Sequence, residues 1–145
     1  KINRLGKHIE SRFAHKYYSE IALGIDFTAR DVQARFKEKG LPWEKAKAFD
    51  GSAAVSKFFP LATIGKDIQD INFHLNINGT TVQSGSTANM LFSVDEIISH
   101  VSKYFTLKTG DLIFTGTPAG VGRVEREDLL ELFLEEERVF YFNVK

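Results

Sequence analysis

Cysteine is missing altogether from this 145-residue chain, and proline, methionine and tryptophan are scarce at three, one and one. Without a thiol, disulfides, thiolate zinc sites and a cysteine nucleophile are excluded together. The redox compartment stays open, and the cytoplasm is the expected location. Net charge is lacking too, since 19 Lys and Arg balance 19 Asp and Glu, and no Lys/Arg run forms a basic patch. A nucleic-acid backbone has little here to attract it. No apolar run approaches the ~20 residues that span a bilayer, and Lys1-Ile2-Asn3-Arg4 lacks the apolar core of a signal peptide. Neither nucleic acid nor membrane is therefore an expected partner. The start at Lys1, without methionine or a preceding turn or cap, leads to the expectation that the parent protein carries residues ahead of it.

What is present is an ordinary globular composition, 43% hydrophobic and 12% aromatic, in a length that fits one domain with a sizeable core. Residues Tyr17 to Ile25 are mostly apolar and end at Asp26, which suits a buried strand feeding a helix. Thr28 with Asp31 three positions on forms a potential capping box. Val32 and Phe36 share one face, and Gly40 before Leu41-Pro42 stops the helix, so the spacing predicts a helix from about Ala29 to Lys39. Ile71 to Ile77 alternates apolar with polar and meets Asn78-Gly79 before Thr80-Thr81-Val82-Gln83, the pattern of a type I′ hairpin. Ser93 and Glu96 make a second capping box, followed by the stripe Val94, Ile97, Ile98, Val101, Phe105 of a second helix. Leu112 to Thr115 reads as a short strand and Arg138 to Val144 as a closing one. The acidic tail from Glu125 to Glu137 reads as a turn or irregular piece. The expected class is α+β, mostly β, with a mostly antiparallel sheet system and two short helices.

Three segments suggest chemistry: Asp26 at a strand end, Lys47 within Lys45-Ala46-Lys47-Ala48-Phe49, and the loop Thr115-Gly116-Thr117-Pro118-Ala119-Gly120-Val121-Gly122. Together they read as a site for an anionic, oxygen-rich substrate on a divalent cation. Each also has a plainer reading. A buried carboxylate at Asp26 needs a cationic neighbour, which is either a metal or Arg30 one helical turn away. A hard cation also needs more acids than one, and Glu10, Glu20 and Asp31 form no tight ligand pattern. Lys47 is either a partly desolvated amine beside Trp43 and Phe49, able to stabilise an anion, or a solvated loop lysine. The glycine loop either brings backbone and a threonine hydroxyl against a carboxylate or is a structural turn; it lacks the lysine and spacing of a phosphate loop. His8, His15, His74 and His100 show no zinc spacing, and Ser84-Gly85-Ser86 is no nucleophile elbow.

Taken in order, Gly24-Ile-Asp-Phe-Thr-Ala-Arg-Asp-Val-Gln33, Lys39-Gly-Leu-Pro-Trp43, Ala46-Lys-Ala-Phe49, Asn78-Gly79, Ile97-Ile-Ser-His-Val-Ser102 and Gly110 to Gly122 resemble the fumarylacetoacetate hydrolase family. The likeness is greatest to its acylpyruvate hydrolase and oxaloacetate decarboxylase branch, and it runs from about Ile21 to the end. Each piece alone is weak; their order and spacing are specific. The resemblance implies a mixed β-sandwich roll of the C-terminal catalytic domain type over residues 1–145. It also implies a magnesium or manganese ion held by one aspartate and two glutamates of a Glu-x-Glu strand. Asp26 matches the aspartate ligand and Arg30 a residue that orients it and serves substrate binding. Gln33, Gly116 and Thr117 match groups around the substrate carboxylate, and Lys47 the lysine that stabilises an enolate. The family's Glu-x-Glu strand, and the lid whose Glu-His pair activates water, match nothing in this chain and would lie upstream of Lys1.

The activity so implied is metal-dependent hydrolysis or decarboxylation of 2-oxo acids such as acylpyruvates or oxaloacetate through a metal-bound enolate, in a homodimer. Two alternatives stand beside it. One is an isomerase or tautomerase of the 2-hydroxyhepta-2,4-diene-1,7-dioate type; the other is a non-catalytic β module for oligomer assembly.

Overall fold

The computed structural model describes all 145 residues, which form two compact units: Lys1–Leu23 with Lys57–Lys145, and Gly24–Ser56. In chain order the elements are α1 (Ser11–Ala14), β1 (Glu20–Ile21), β2 (Gly24–Asp26), α2 (Arg30–Glu38), β3 (Ala53–Val55), β4 (Phe59–Pro60), α3 (Leu61–Ile64), β5 (Asn72–Ile77), β6 (Thr80–Ser86), α4 (Val94–Tyr104), β7 (Leu129–Leu134) and β8 (Glu137–Asn143). Strands and a few helices combine as the α+β expectation requires, and the strand pairs are antiparallel. Besides the two expected helices there are the single turns α1 and α3.

The larger unit is organised by a four-stranded sheet in the order β6-β5-β7-β8. Its first hairpin turns at Asn78 and Gly79, both left-handed at φ +50° and +79°, which is the type I′ geometry whose twist matches the flanking strands. Strand β7 corrects the expectation of an irregular acidic tail. Leu130, Leu132 and Leu134 are buried on one face, while Glu131 takes a bond from Arg138 on β8 and the acids that follow sit in or beside the β7–β8 turn. Asn78 ties the two hairpins together: its amide donates to Asp128 Oδ1 at 2.8 Å and its carbonyl oxygen accepts from Leu129 N at 2.9 Å.

Against this stands a second, helical core. Ser93 and Glu96 cap α4 reciprocally, with Ser93 N donating to Glu96 Oε2 at 2.7 Å and Glu96 N to Ser93 Oγ at 3.2 Å. The apolar stripe of α4 buries Ile98 with Ile2, Ile9, Ala14 and Leu107, and Val94 and Val101 pack around them. Ser102, fully buried, is satisfied on both sides: its Oγ accepts from Ile9 N and donates to Ser99 O, each at 2.9 Å. Phe105 leaves the expected stripe, because the helix ends at Tyr104 and Phe105 is extended and exposed.

Two strand expectations are corrected. Tyr17 to Ile25 does not form one buried strand. A single helical turn at His15–Tyr17 precedes β1, which pairs with β4 in the larger unit, while β2 pairs with β3 in the smaller. Leu112 to Thr115 has no ladder partner in this chain and remains irregular, with Leu112 and Phe114 exposed. An apolar run without a neighbouring strand cannot satisfy its backbone as sheet.

In the smaller unit, β2 runs against β3 with Asp26 opposite Ala53, and Phe27 N donates to Ser52 O at 2.8 Å just past the pair. Helix α2 follows and stops as expected: Gly40 is left-handed at φ +61°, Gly40 N donates to Lys37 O and Leu41 N to Phe36 O. That is the two-bond Schellman closure.

Candidate functional site

The smaller unit presents one tight polar cluster. Lys47 Nζ lies 2.5 Å from Asp26 Oδ2 and 2.8 Å from Thr28 Oγ1. Its position follows from its neighbour: Ala46 is completely buried, and its carbonyl accepts Ala29 N at 3.0 Å. The loop is thereby pinned beside the start of α2, and the next side chain reaches the end of β2. Thr28 does not cap α2, contrary to the expected capping box with Asp31. The cap position is Ala29, without a side-chain bond, and the Thr28 hydroxyl is drawn to the lysine instead, 3.5 Å from Asp26 O.

Asp26 and Lys47 thus answer the question of the missing cation. The partner is Lys47, not Arg30, which is exposed on the first turn of α2. The expected partly buried acid is half exposed, at 49% of its side chain, and the lysine 30%. An ion pair so open contributes ~1 kcal/mol or less, so stability gives little reason to hold three polar groups at these distances. Gln33 is half-buried on α2, one turn after Arg30.

The larger unit holds the other candidates. Gly116 is left-handed at φ +121°, a conformation that favours glycine, and it presents the exposed Thr117. The loop rests on β6, one of the two edge strands of the sheet. Gln83 Nε2 donates to Thr117 Oγ1 at 3.0 Å and to Pro118 O at 3.1 Å. Neither Gln83 nor Thr28 carried a functional signal in the sequence; an i, i+2 Asp-x-Thr at a strand end is the only trace of Thr28, and Gln83 reads as one more polar residue of a hairpin strand.

A divalent cation asks for several hard oxygens. Asp26 fits as one such ligand, but no group of three or more His, Asp or Glu side chains in this chain is placed to hold a metal ion. The chain's own residues therefore form no complete site for such an ion.

The chain belongs to the fumarylacetoacetate (FAA) hydrolase C-terminal family, which matches residues 1–140. The mitochondrial oxaloacetate tautomerase FAHD1 of Mus musculus is 43% identical over 144 residues, 99% of this chain and 65% of its own length. The mitochondrial oxaloacetate decarboxylase of Dictyostelium discoideum is 39% identical over 124 residues, 86% of this chain and 56% of that protein. Both agree with the branch to which the motifs pointed. Among solved structures, a fumarylacetoacetate hydrolase family protein from Yersinia pestis CO92 superposes with a TM-score of 0.94 at 38% identity, covering 99% of this chain and 68% of that one. The fumarylpyruvate hydrolase from Pseudomonas aeruginosa in complex with Mn2+ and pyruvate gives 0.89 at 35%, covering 99% and 60%. This chain thus spans about 65% of the mouse relative's length.

Proposed function

We propose that this chain is the catalytic portion of an enzyme that acts on small 2-oxo acids, oxaloacetate or acylpyruvates, by cleaving or isomerising the bond system next to the 2-oxo group. The observation that carries this reading is the Lys47 ammonium held between Asp26 and Thr28. An ammonium has three donors; two are engaged there, and the third can address an oxygen on which negative charge develops. Such charge stabilisation distinguishes a transition state from a bound substrate. Asp26 and Thr28 orient the amine, and Asp26 would contribute one ligand to a divalent cation, Mg2+ or Mn2+, whose chemistry is to polarise the 2-oxo acid as a Lewis acid. Support for the cation comes from the Mn2+ and pyruvate of the Pseudomonas structure. The substrate carboxylate is assigned to Gln33, Arg30 and the Gly116-Thr117 loop, on the family resemblance. In the intact protein we place this chain in a mixed β-sandwich roll and a homodimer, in the cytoplasm.

Lys47→Ala should lower kcat by on the order of 10²-fold, the scale of a lost oxyanion donor, with a much smaller change in KM. Steady-state kinetics on the intact, cation-loaded protein measures both, and an unchanged kcat would remove Lys47 from the chemistry. The name of the mouse relative favours a second reading, tautomerisation of oxaloacetate without bond cleavage. Assays with oxaloacetate, an acylpyruvate and 2-hydroxyhepta-2,4-diene-1,7-dioate, with and without Mg2+, separate hydrolase, decarboxylase and isomerase. Calorimetry with oxalate and Mg2+ tests the site itself; no binding would leave the oligomer-assembly module.

A further inference from the structure

We infer that Gln83 is a positioning residue that fixes the hydrogen-bond polarity of Thr117, turning its hydroxyl into a dedicated donor toward a substrate carboxylate. This inference rests on the proposed role of Thr117 in holding that carboxylate. Pro118 O is a carbonyl and can only accept, so the Gln83 atom 3.1 Å from it must be the amide nitrogen. The same nitrogen lies 3.0 Å from Thr117 Oγ1. An amide NH2 has two hydrogens, one for each partner, and the threonine oxygen therefore receives one of them. Its own hydrogen is then left to point elsewhere, and an anionic oxygen is the acceptor it suits best. A threonine without that neighbour could turn its lone pair to the site as readily as its hydrogen, and a lone pair facing a carboxylate is repulsive.

The backbone around the pair is built to hold this register. Gly120 is left-handed at φ +97°, and a Cβ there would stand 2.2 Å from Val82 O, so the loop lies directly against the strand residue before Gln83. Gly85 leaves no more room, since a Cβ there would lie 2.9 Å from the Phe73 ring and 3.0 Å from Pro118. The loop is thus seated on β6 at both sides of Gln83, and a side chain at Gly85 or Gly120 would push loop and strand apart.

The test uses the intact protein with saturating Mg2+ and oxaloacetate. Gln83→Glu keeps the size and shape of the side chain but can only accept when ionised, so it takes the Thr117 hydrogen for itself. KM should rise on the order of tenfold, the scale of a lost hydrogen bond to a charged group, with kcat within about threefold. Thr117→Val, which removes the hydroxyl and keeps the shape, should raise KM to a similar extent. The double variant Gln83→Met with Thr117→Val, which adds no charge beside the carboxylate, should be no worse than Thr117→Val alone, because Gln83 acts through that hydroxyl. Melting temperatures of all variants exclude misfolding, and Gln83→Met serves if the glutamate variant fails to fold. Multiplying defects in the double variant, or a normal KM for Gln83→Glu beside a raised one for Thr117→Val, would overturn the inference while leaving the carboxylate clasp intact. A normal KM for Thr117→Val would instead remove the clasp itself.

Discussion

At the scale of single residues, Asp26 carries two assignments that one carboxylate can serve together. Its Oδ2 faces the Lys47 ammonium, and a carboxylate has a second oxygen with which to meet a hard cation. The consequence is testable apart from stability. Asp26→Asn keeps the shape and the hydrogen bond to Lys47 but removes the charge a cation requires. The Mg2+ concentration for half-maximal activity should rise at least tenfold, while the fold loses ~1 kcal/mol or less, because the pair is open to solvent. A Mg2+ titration of activity alongside a denaturant melt reads both; an unchanged Mg2+ requirement would take Asp26 out of the metal site. The same residue shows where reading the sequence stopped. That Asp26 needs a cationic neighbour was legible, because charges need partners. That the neighbour is Lys47 rather than Arg30 was not, since it depends on a loop pinned by the buried Ala46 from twenty positions away. The Thr28 hydroxyl departs from its expected cap for the same reason: Thr28 and Asp31 make a capping pattern locally, and a distant ammonium competes for the oxygen.

At the scale of elements, what was legible was local. The β5–β6 hairpin and α4 announce themselves through a turn dipeptide and a capping box that act within a few residues, and both stand where expected. Strand β7 was hidden because charge masked periodicity: Leu130, Leu132 and Leu134 alternate correctly, but Leu129 and Phe133 fill the other face and seven acids lie between Glu125 and Glu137. Those acids serve β7's ends and neighbours rather than oppose it. Asp128 accepts Glu125 N at 2.7 Å, and Glu135 accepts Asn72 N at 2.9 Å. Being central in the sheet, with β5 on one side and β8 on the other, β7 is where a core deletion should hurt most. Leu130 is fully buried, so Leu130→Ala should cost about 2–5 kcal/mol. Chemical denaturation measures it, and a loss below about 1 kcal/mol would mean that β7 is not the core strand described.

At the scale of the whole molecule, these same carboxylates set how stability answers to pH. Three are held below their ordinary values, each first by a backbone N–H: Glu96 by Ser93, Asp128 by Glu125 with Asn78 beside it, and Glu135 by Asn72 with Lys66 beside it. A carboxyl with a depressed folded pKa contributes stability that is complete above its unfolded value and lost as pH falls through the folded one. The unfolded values are the ordinary 4.5 for Glu96 and Glu135 and 3.8 for Asp128, so the acid limb should begin near pH 4.5 and steepen below it. Tyr18 acts at the other end. Burial first, and then its bond to Asp95 Oδ1 at 3.0 Å, raise its pKa above the ordinary 10.0. The folded state therefore keeps the phenol proton longer than the unfolded chain, and stability should decline as pH rises past 10. Melting temperature against pH should be a plateau bounded by these two limbs. Asp128→Asn should lie below the parent at pH 7 and converge with it only as pH falls through the lowered folded value of the native carboxylate, and Tyr18→Phe should lose the alkaline slope that the phenol adds. A constant offset for Asp128→Asn at every pH would show that its carboxylate holds the strand start by shape alone and not by charge.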